Sequence, residues 1–236
     1  MMSLKYNRIL LKLSGESLAG DKKFGINNDT VEEITAAVKE CYDLGAEIAI
    51  VVGGGNFWRG RSSEKMDRAE ADYIGMLATV MNSLCLCDML KQKGVPAVVQ
   101  TSIPMQQIAE PFVRRNALKY LDEKKVVIFG GGTGSPFFST DTAAALRATE
   151  INADAILKAT MVDGVYDSDP KKNPDAKRYS HISFSDVLKN NLAVMDSTAA
   201  TLCKDNNIPI LVFSIADPLN IKEVIQGKDI ATLVSN

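Results

Sequence analysis

The sequence has few residues suited to redox, metal or imidazole chemistry. It contains four cysteines and a single histidine, His181, among 236 residues. Cys85 and Cys87 are two positions apart in a helical pattern, so their side chains point to different faces and favour neither a disulfide nor a metal framework. His181 lies among polar residues, which argues against catalysis by histidine and against a zinc site built on it. Such cysteine usage is typical of the reducing cytosol.

A basic excess and a targeting segment are also missing. The 27 lysines and arginines are outnumbered by 29 acidic residues, and a net charge of -2 gives no sign of a nucleic-acid partner. The first apolar run, of about five residues, turns at once into polar and glycine residues, unlike a signal peptide. Nothing in the sequence reaches the roughly 18 apolar residues of a membrane span. We therefore expect a cytoplasmic protein without nucleic-acid or membrane partners.

Two familiar phosphate-binding motifs are absent. The P-loop pattern, in which Gly-Lys-Ser/Thr closes a glycine loop, occurs nowhere in the chain. The dinucleotide pattern Gly-x-Gly-x-x-Gly fails twice, because Gly53-x-Gly55 runs on to Trp58 and Gly130-x-Gly132 runs on to Ser135. Neither a P-loop fold nor a dinucleotide-dependent oxidoreductase is favoured.

Short apolar runs alternate with helical patterns along the chain. This alternation predicts a mainly parallel sheet covered on both faces, a three-layer αβα sandwich of the α/β class. The predicted strands are Arg8–Leu13, Glu47–Val52, Ala97–Gln100, Val126–Phe129, Ala155–Leu157, Pro209–Phe213 and, more weakly, Ala231–Val234. The predicted helices are Asp29–Leu44, Asp67–Lys93, Pro111–Lys119, Thr140–Ile151, Ser183–Lys189, Asp196–Asn206 and Pro218–Gln226. Because no linker divides the chain, residues 1–236 are expected to form one domain.

Glycine-rich loops follow several of the predicted strands. Gly53–Gly55, Gly130–Gly132 and Gly134 come where strands end, and Ser14-Gly15 follows the first strand. Turns without Cβ atoms let backbone N–H groups approach a phosphate closely, although a single run of this kind can also be a plain tight turn. Since ligands of parallel sheets bind outside the carboxyl ends of the strands, these loops are expected to face one crevice.

Charged residues at the same strand ends point to phosphoryl transfer. Lys12 and Lys158 each end an apolar strand, and Arg59 closes the second glycine loop. Phosphoryl transfer needs mainly positioning and cations that meet the charge of the equatorial oxygens. Asp141 begins a predicted helix, where it serves either the reaction or N-terminal capping. The acidic segment 163–169 forms either a lobe over a nucleotide or a plain hairpin.

At these residues the chain resembles the bacterial uridylate (UMP) kinases of the amino-acid-kinase superfamily. The resemblance extends from about Asn7 to Val234 and rests on blocks that are specific when they occur in this order. The matching blocks are KLSGE at Lys12–Glu16, GGGNFWRG at Gly53–Gly60, ADYIGMLATVMN at Ala71–Asn82, GTGSPFFSTDTAAALRA at Gly132–Ala148, LKATMVDGVYDSDP at Leu157–Pro170 and VMD at Val194–Asp196. The related acetylglutamate, aspartate and carbamate kinases lack the Gly-Ser-Pro-Phe-Phe loop and the Asp72 block.

The resemblance implies ATP + UMP to ADP + UDP by direct in-line transfer, with acceptor residues mainly in the N-terminal half and ATP residues mainly in the C-terminal half. The implied catalytic residues are Lys12, Lys158, Asp141 and Arg59. The implied ATP-binding residues are Lys12, Leu13, Ser14, Gly15, Gly55, Arg59, Thr160, Tyr166 and Asp169. The implied UMP-binding residues are Gly54, Asp72, Thr133, Gly134, Ser135, Pro136, Phe137, Phe138, Ser139 and Thr140. Some family members carry Asn at the position of Ser135, and both side chains offer hydrogen bonds.

The resemblance also implies regulation and assembly. It implies Mg²⁺ bound through the phosphates of ATP with no direct protein ligand, a homohexamer in pyrimidine nucleotide biosynthesis, and feedback by UTP. The loop tied to activation by GTP corresponds to Gly20, Asp21, Lys22, Lys23, Phe24 and Gly25. A non-catalytic nucleotide-binding or storage protein on the same fold is the alternative, but it would be expected to lose the lysines or the acceptor loop.

The helix Asp67–Lys93 is apolar on nearly every face. Its apolar residues include Ile74, Met76, Leu77, Val80, Met81, Leu84, Leu86, Met89 and Leu90. A helix that covers one sheet face needs a single apolar stripe. The other apolar faces of this helix are buried either by other helices of the chain or by a partner subunit. We expect a partner subunit, in an obligate homo-oligomer.

Overall fold

The core of the structure is one nine-stranded, mostly parallel sheet. The computed structural model describes residues 4–59, 65–170, 172–190, 192 and 194–236. The strands are β1 (Arg8–Leu13), β2 (Glu47–Val52), β3 (Ala97–Thr101), β4 (Glu110–Pro111), β5 (Val126–Gly130), β6 (Ala155–Thr160), β7 (His181–Ser183), β8 (Ile210–Ser214) and β9 (Thr232–Ser235). Their order is β4-β3-β5-β2-β1-β6-β8-β9-β7, and among these pairings β8 with β9 is antiparallel.

Helices cover both faces of this sheet and so confirm the predicted three-layer fold. The helices are α1 (Gly15–Ala19), α2 (Asn28–Asp43), α3 (Arg68–Gln92), α4 (Arg114–Asp122), α5 (Thr140–Glu150), α6 (Phe184–Lys189), α7 (Ser197–Asp205) and α8 (Asn220–Ile225). One apolar core joins α2, α3 and α8 to the sheet, and the other joins α4, α5, α6 and α7 to it. The period of two in β1 divides its side chains between these cores: Leu11 faces the first and Leu10 the second.

Every predicted strand and helix is present, with some boundary errors and omissions. The strand predicted at Ala155–Leu157 extends to Thr160. The helix predicted at Pro111–Lys119 is observed at Arg114–Asp122, because Pro111 belongs to the short strand β4. Proline has no N–H to donate and is therefore tolerated on such an edge strand. The sequence analysis missed α1, β4 and β7, which are only five, two and three residues long.

Contrary to the expectation that nothing in the sequence reaches a membrane span, helix α3 is long and apolar enough, by length and composition, to cross a membrane. Half of its most apolar 18-residue window is buried inside the protein, as in the core helix of an α/β domain. One face contributes Leu86 and Leu90 to the core. Four large side chains on another face stay exposed in the single chain, namely Tyr73, Ile74, Leu77 and Met81.

Candidate active site

Four loops meet at one edge of the sheet, as the sequence predicted. The central strands β5, β2, β1 and β6 are neighbours and run parallel, so their carboxyl ends lie side by side. The loops after β1 and β2 approach so closely that a Cβ atom on Gly15 would lie 2.6 Å from the nitrogen of Gly55. Position 15 therefore requires glycine, and the two loops form one continuous backbone surface.

Lys12, Lys158 and Asp141 form a compact ionic cluster at this edge. Strands β1 and β6 pair with Lys12 opposite Lys158, so that both ammonium groups are on the face that α5 covers. The Lys12 Nζ lies 2.7 Å from Asp141 Oδ1, and the Lys158 Nζ lies 2.8 Å from Asp141 Oδ2. The three side chains are only 11–16% exposed. The three residues predicted to form the transfer centre are therefore in contact, and their catalytic role stays a prediction.

Asp141 is not the cap of its helix. The Ser139 side chain caps α5 by accepting from the backbone N–H of Thr142 at 3.1 Å. Burial disfavours ionisation of Asp141, but the two lysines outweigh this effect and hold the pKa of its carboxyl below the ordinary value. Burial lowers the pKa of Lys158, although Asp141 opposes that shift. Two lysine side chains thus face a single carboxylate, and this excess of basic groups suits an anionic ligand.

A cavity of about 350 Å³ opens beside this cluster. Of the residues predicted to bind nucleotides, its walls contain Gly54, Gly55, Arg59, Asp72, Thr133, Phe138, Ser139 and Thr140. They also contain Glu16, Trp58, Arg68, Gly75, Met76, Thr79 and Gly132, to which the sequence analysis gave no role. We call this the first cavity. Gly55 and Arg59, which the resemblance assigns to ATP, lie here among predicted acceptor residues, and their assignment stays a prediction.

Asp72 ties helix α3 to the acceptor loop, the segment Thr133–Thr140. Its Oδ2 accepts from the backbone N–H of Phe137 at 2.8 Å and from Arg68 Nε at 2.9 Å. The Arg68 guanidinium also lies 5.9 Å from the centre of the Phe137 ring. The side chain of Asp72 is 14% exposed and keeps lone pairs for further donors. Arg68 has no distinctive sequence signal beyond its spacing of four from Asp72.

A second cavity, of about 530 Å³, adjoins Lys158. Thr160, Tyr166 and Asp169 line it, together with apolar side chains such as Val165 and Val212. The lobe that contains Tyr166 and Asp169 folds back as a hairpin, in which Tyr166 bridges Arg178 in antiparallel fashion. The segment therefore forms a hairpin that lines a cavity, and its role as a lobe over a nucleotide stays a prediction.

Arg59 lies at the rim of the first cavity, in contact with Glu16. The two side chains form an ion pair and are 63% and 50% exposed, so the pair contributes little to stability. An arriving phosphate can therefore take Arg59 from Glu16 at small cost. Gly60, the last residue of the matching block, lies outside the described residues.

Asp196 joins the acceptor loop to the C-terminal half of the chain. Its carboxylate accepts from the hydroxyl groups of Ser139 and Thr142 and also caps α7 through the N–H of Ala199. Two residues before it, the carbonyl of Val194 accepts from Lys158. The block Val194–Asp196 was recognised in the sequence without a role, because Lys158, Thr142 and Ser139 are 36 to 57 residues away from it.

The loop Gly20–Gly25 lies outside both cavities but contacts the second glycine loop. The amide of Asn56 donates to the carbonyl of Gly25 at 2.8 Å, and the rings of Phe24 and Phe57 meet edge to face at 5.8 Å. The Asn56 and Asn82 amides also bond each other reciprocally in the interior. A role of this loop in activation stays a prediction.

The described residues contain no group of three or more His, Cys, Asp or Glu side chains placed to hold a metal ion. Asp141 is the carboxylate nearest the transfer centre, and both of its oxygens are already paired with lysines. This donor set fits a cation that arrives bound to phosphates rather than one held by the protein.

Comparison with known proteins supports the resemblance to uridylate kinases. The amino acid kinase family matches residues 7–214. A UMP kinase from Bacillus anthracis is 43% identical, with a TM-score of 0.95 over 98% of this chain and 96% of that one. A UMP kinase from Ureaplasma parvum is 39% identical, with a TM-score of 0.93 over 99% of this chain and 100% of that one. A uridylate kinase from Archaeoglobus fulgidus is 26% identical, with a TM-score of 0.75 over 96% of this chain and 99% of that one. The chain therefore belongs to the amino acid kinase family.

Proposed function

We propose that this chain is a UMP kinase, which transfers the γ-phosphoryl group of ATP to the phosphate of UMP. The observation that carries the proposal is the cluster of Lys12, Asp141 and Lys158. Lys158 lines the second cavity, and Asp141 directly follows Thr140 in the wall of the first. UMP occupies the first cavity and the nucleoside of ATP the second. A non-catalytic nucleotide-binding protein finds no support, because the lysines, the acceptor loop and both cavities are all present.

In this mechanism the chain positions the two substrates and neutralises the negative charge of the transferred group. It forms no covalent intermediate. Lys12 and Lys158 meet the charge that grows on the transferred group, and Asp141 holds their ammonium groups in place. Asp72 accepts from the ribose of UMP. Mg²⁺ bound to the phosphates of ATP would supply neutralisation of their negative charge. No residue of this chain is assigned to the metal.

The proposal is tested by offering the purified chain ATP with UMP, CMP, aspartate or acetylglutamate and measuring ADP formation. We expect ADP with UMP, together with UDP as the second product. ADP formation with aspartate or acetylglutamate but not with UMP would place the chain in another branch of the family. No transfer to any acceptor, with tight binding of nucleotides, would favour the storage alternative.

Transfer is expected to be direct. The chain has a single histidine, which is exposed on the edge strand β7, and phosphoryl transfer needs little covalent help once the reactants are aligned. Incubation with γ-³²P-ATP should leave the protein unlabelled after denaturation. A labelled protein that loses its label when UMP is added would contradict direct transfer.

Asp72→Asn should raise KM for UMP about 10- to 100-fold and change kcat little. A carboxylate that accepts from ribose hydroxyls binds ground state and transition state alike, and a hydrogen bond to a charged group contributes about 1.5–3 kcal/mol. Steady-state kinetics with each substrate varied gives the two constants. Asp88→Asn, an exposed change on the same helix, is the matched control. An unchanged KM for UMP with an altered KM for ATP would show that the acceptor site is wrongly placed.

We propose in addition a homohexamer, cytoplasmic location, inhibition by UTP and activation by GTP through Gly20–Gly25. The exposed face of α3 supports assembly, because Tyr73, Ile74, Leu77 and Met81 are 36–46% exposed and form one apolar stripe in the single chain. The alternative, that other helices of the chain cover this face, does not hold for these four side chains. The occupant is a second copy of the chain.

Leu77→Glu or Met81→Glu should therefore dissociate the assembly and weaken the response to UTP. A charge buried in an apolar contact without a partner is costly. Sedimentation velocity at micromolar concentration measures the state of assembly. A control variant should not break an ion pair, as a change of Glu40 would by removing its contact with Lys222. Glu33→Gln, on the exposed face of α2, serves instead. A wild type that sediments as a monomer would contradict the prediction, and so would an assembled, fully regulated glutamate variant.

A further inference from the structure

Arg147 is a charged side chain of the interior that the proposed chemistry does not use. It lies on α5 and is only 4% exposed. A buried guanidinium is costly unless it is paired and hydrogen-bonded. Arg147 pairs with Glu150, and its Cζ lies 3.6 Å from the centre of the Phe112 ring. Its Nη2 donates to the Oγ of Ser102 at 2.8 Å.

Ser102 connects this guanidinium to the wall of the first cavity. Its Oγ donates to the carbonyl of Gly132 at 2.8 Å, and Gly132 and Thr133 line the cavity. A serine hydroxyl has one proton, whereas a guanidinium can only donate. Arg147 therefore makes the Oγ of Ser102 accept on one side and directs its single proton to Gly132 on the other.

The segment that Ser102 contacts is a glycine-rich turn, closed by a hydrogen bond from the N–H of Gly134 to the carbonyl of Gly131. Gly131 adopts a φ of +77°, which favours glycine and leaves many other conformations open to the free chain. Its N–H donates to the Oγ1 of Thr79 on α3 at 2.8 Å. Two hydroxyl groups, of Thr79 and Ser102, thus bond this segment from outside it, and of these two only that of Ser102 accepts from a charged side chain.

We propose that Arg147 is a positioning residue of the acceptor site, acting through Ser102 to fix Gly132 and Thr133. The inference deepens the proposed function, since it rests on the first cavity being the UMP site. The competing explanation is that Arg147 only packs α5 against the ring of Phe112. The two differ in what happens when Ser102 alone is changed, because Ser102→Ala leaves the guanidinium and its ring contact in place.

Trp58 gives a direct readout of binding. It is the single tryptophan of the chain and lines the first cavity, so its fluorescence should report UMP without any need for turnover. We expect Ser102→Ala to raise the Kd for UMP about tenfold, the effect of losing one hydrogen bond. Arg147→Lys, which keeps the charge but loses the planar fork, should act in the same direction. The KM for ATP should stay within twofold.

The double variant Ser102→Ala/Arg147→Lys distinguishes the two explanations. The effects of changing residues that act along one chain of contacts do not add. The double variant should therefore bind UMP no more weakly than the single variant with the higher Kd. Losses that multiply would show independent roles and overturn the proposal. Glu150→Gln is the control, because it alters the other side of the guanidinium: it should lower the melting temperature while the Kd for UMP stays within twofold.

Hydrogen exchange of residues 131–136 without nucleotide tests the positioning independently of UMP. Ser102→Ala should speed exchange there and leave α5 protected, whereas unchanged exchange together with a wild-type Kd for UMP would overturn the proposal. A wild-type protein without saturable UMP binding would contradict the proposed function instead. In that case the exchange rates alone decide whether Ser102 and Arg147 hold the loop.

Discussion

Lys12→Ala should lower kcat on the order of 10²–10³-fold and change KM for UMP little, by analogy with the loss of one transition-state donor in other enzymes. Lys12 is the second-last residue of β1, and its ammonium lies 2.7 Å from Asp141 Oδ1. The charge that it meets grows as the phosphoryl group moves, so its contribution is larger in the transition state than in the bound substrates. Steady-state kinetics in ATP and UMP separates the two constants.

The matched control is Lys39→Ala. Lys39 pairs with Asp43 on the surface of α2 and is 40% exposed, so its loss should change neither constant. Lys12→Ala also leaves Asp141 with a single ion-pair partner, Lys158. The melting temperature of the variant is therefore measured, to check that it is folded, before the rates are compared. A change confined to the KM for UMP would show that Lys12 acts in acceptor binding and not in transfer.

The strands and the glycine loops could be predicted because their signals are local. A buried strand of a parallel sheet needs a short apolar run, and its loop needs glycine where two backbones approach. Lys12 and Lys158 could each be placed at a strand end in the same way. That they meet depends on β1 lying next to β6, across more than 140 residues of sequence, and strand order has no local signal.

The residues that the sequence analysis left without a role act through distant partners. Arg147 reaches Ser102 across 45 positions, and Asp196 reaches Ser139 across 57. One signal was available for Arg147: it follows Thr142-Ala-Ala-Ala-Leu146 in a helix whose neighbours are small and apolar, where an arginine calls for a buried partner. Asp196 precedes a helix and looks like an ordinary N-cap, which it also is.

Asp141→Asn should lower the free energy of unfolding by about 3 kcal/mol at neutral pH, because it leaves two poorly exposed ammonium groups without their counter-ion. The carboxylate is 16% exposed and contacts both lysines within 2.8 Å. kcat should fall as well, since the lysines lose the group that orients them. Denaturant unfolding measures the first effect. Asp186→Asn, which removes an exposed carboxylate from the first turn of α6, controls for the helix dipole.

The difference between wild type and Asp141→Asn should depend on pH in a defined direction. The lysines hold the pKa of Asp141 below its ordinary value of 3.8 against the effect of burial. A carboxyl group whose pKa is lower in the folded state stabilises the fold fully when the pH is above its pKa in the unfolded state. This stabilisation is lost as the pH falls through its pKa in the folded state. The wild-type advantage should thus persist at neutral pH and shrink below about pH 4.

Anions should partly compensate for Asp141→Asn. Without the carboxylate, the two ammonium groups present more net positive charge to a ligand, and a ligand that binds only the folded state raises its stability. Inorganic phosphate should therefore raise the melting temperature of Asp141→Asn more than that of the wild type, while kcat stays low. Equal shifts in both proteins, or a variant as stable and active as the wild type, would show that Asp141 does not neutralise Lys12 and Lys158 in solution.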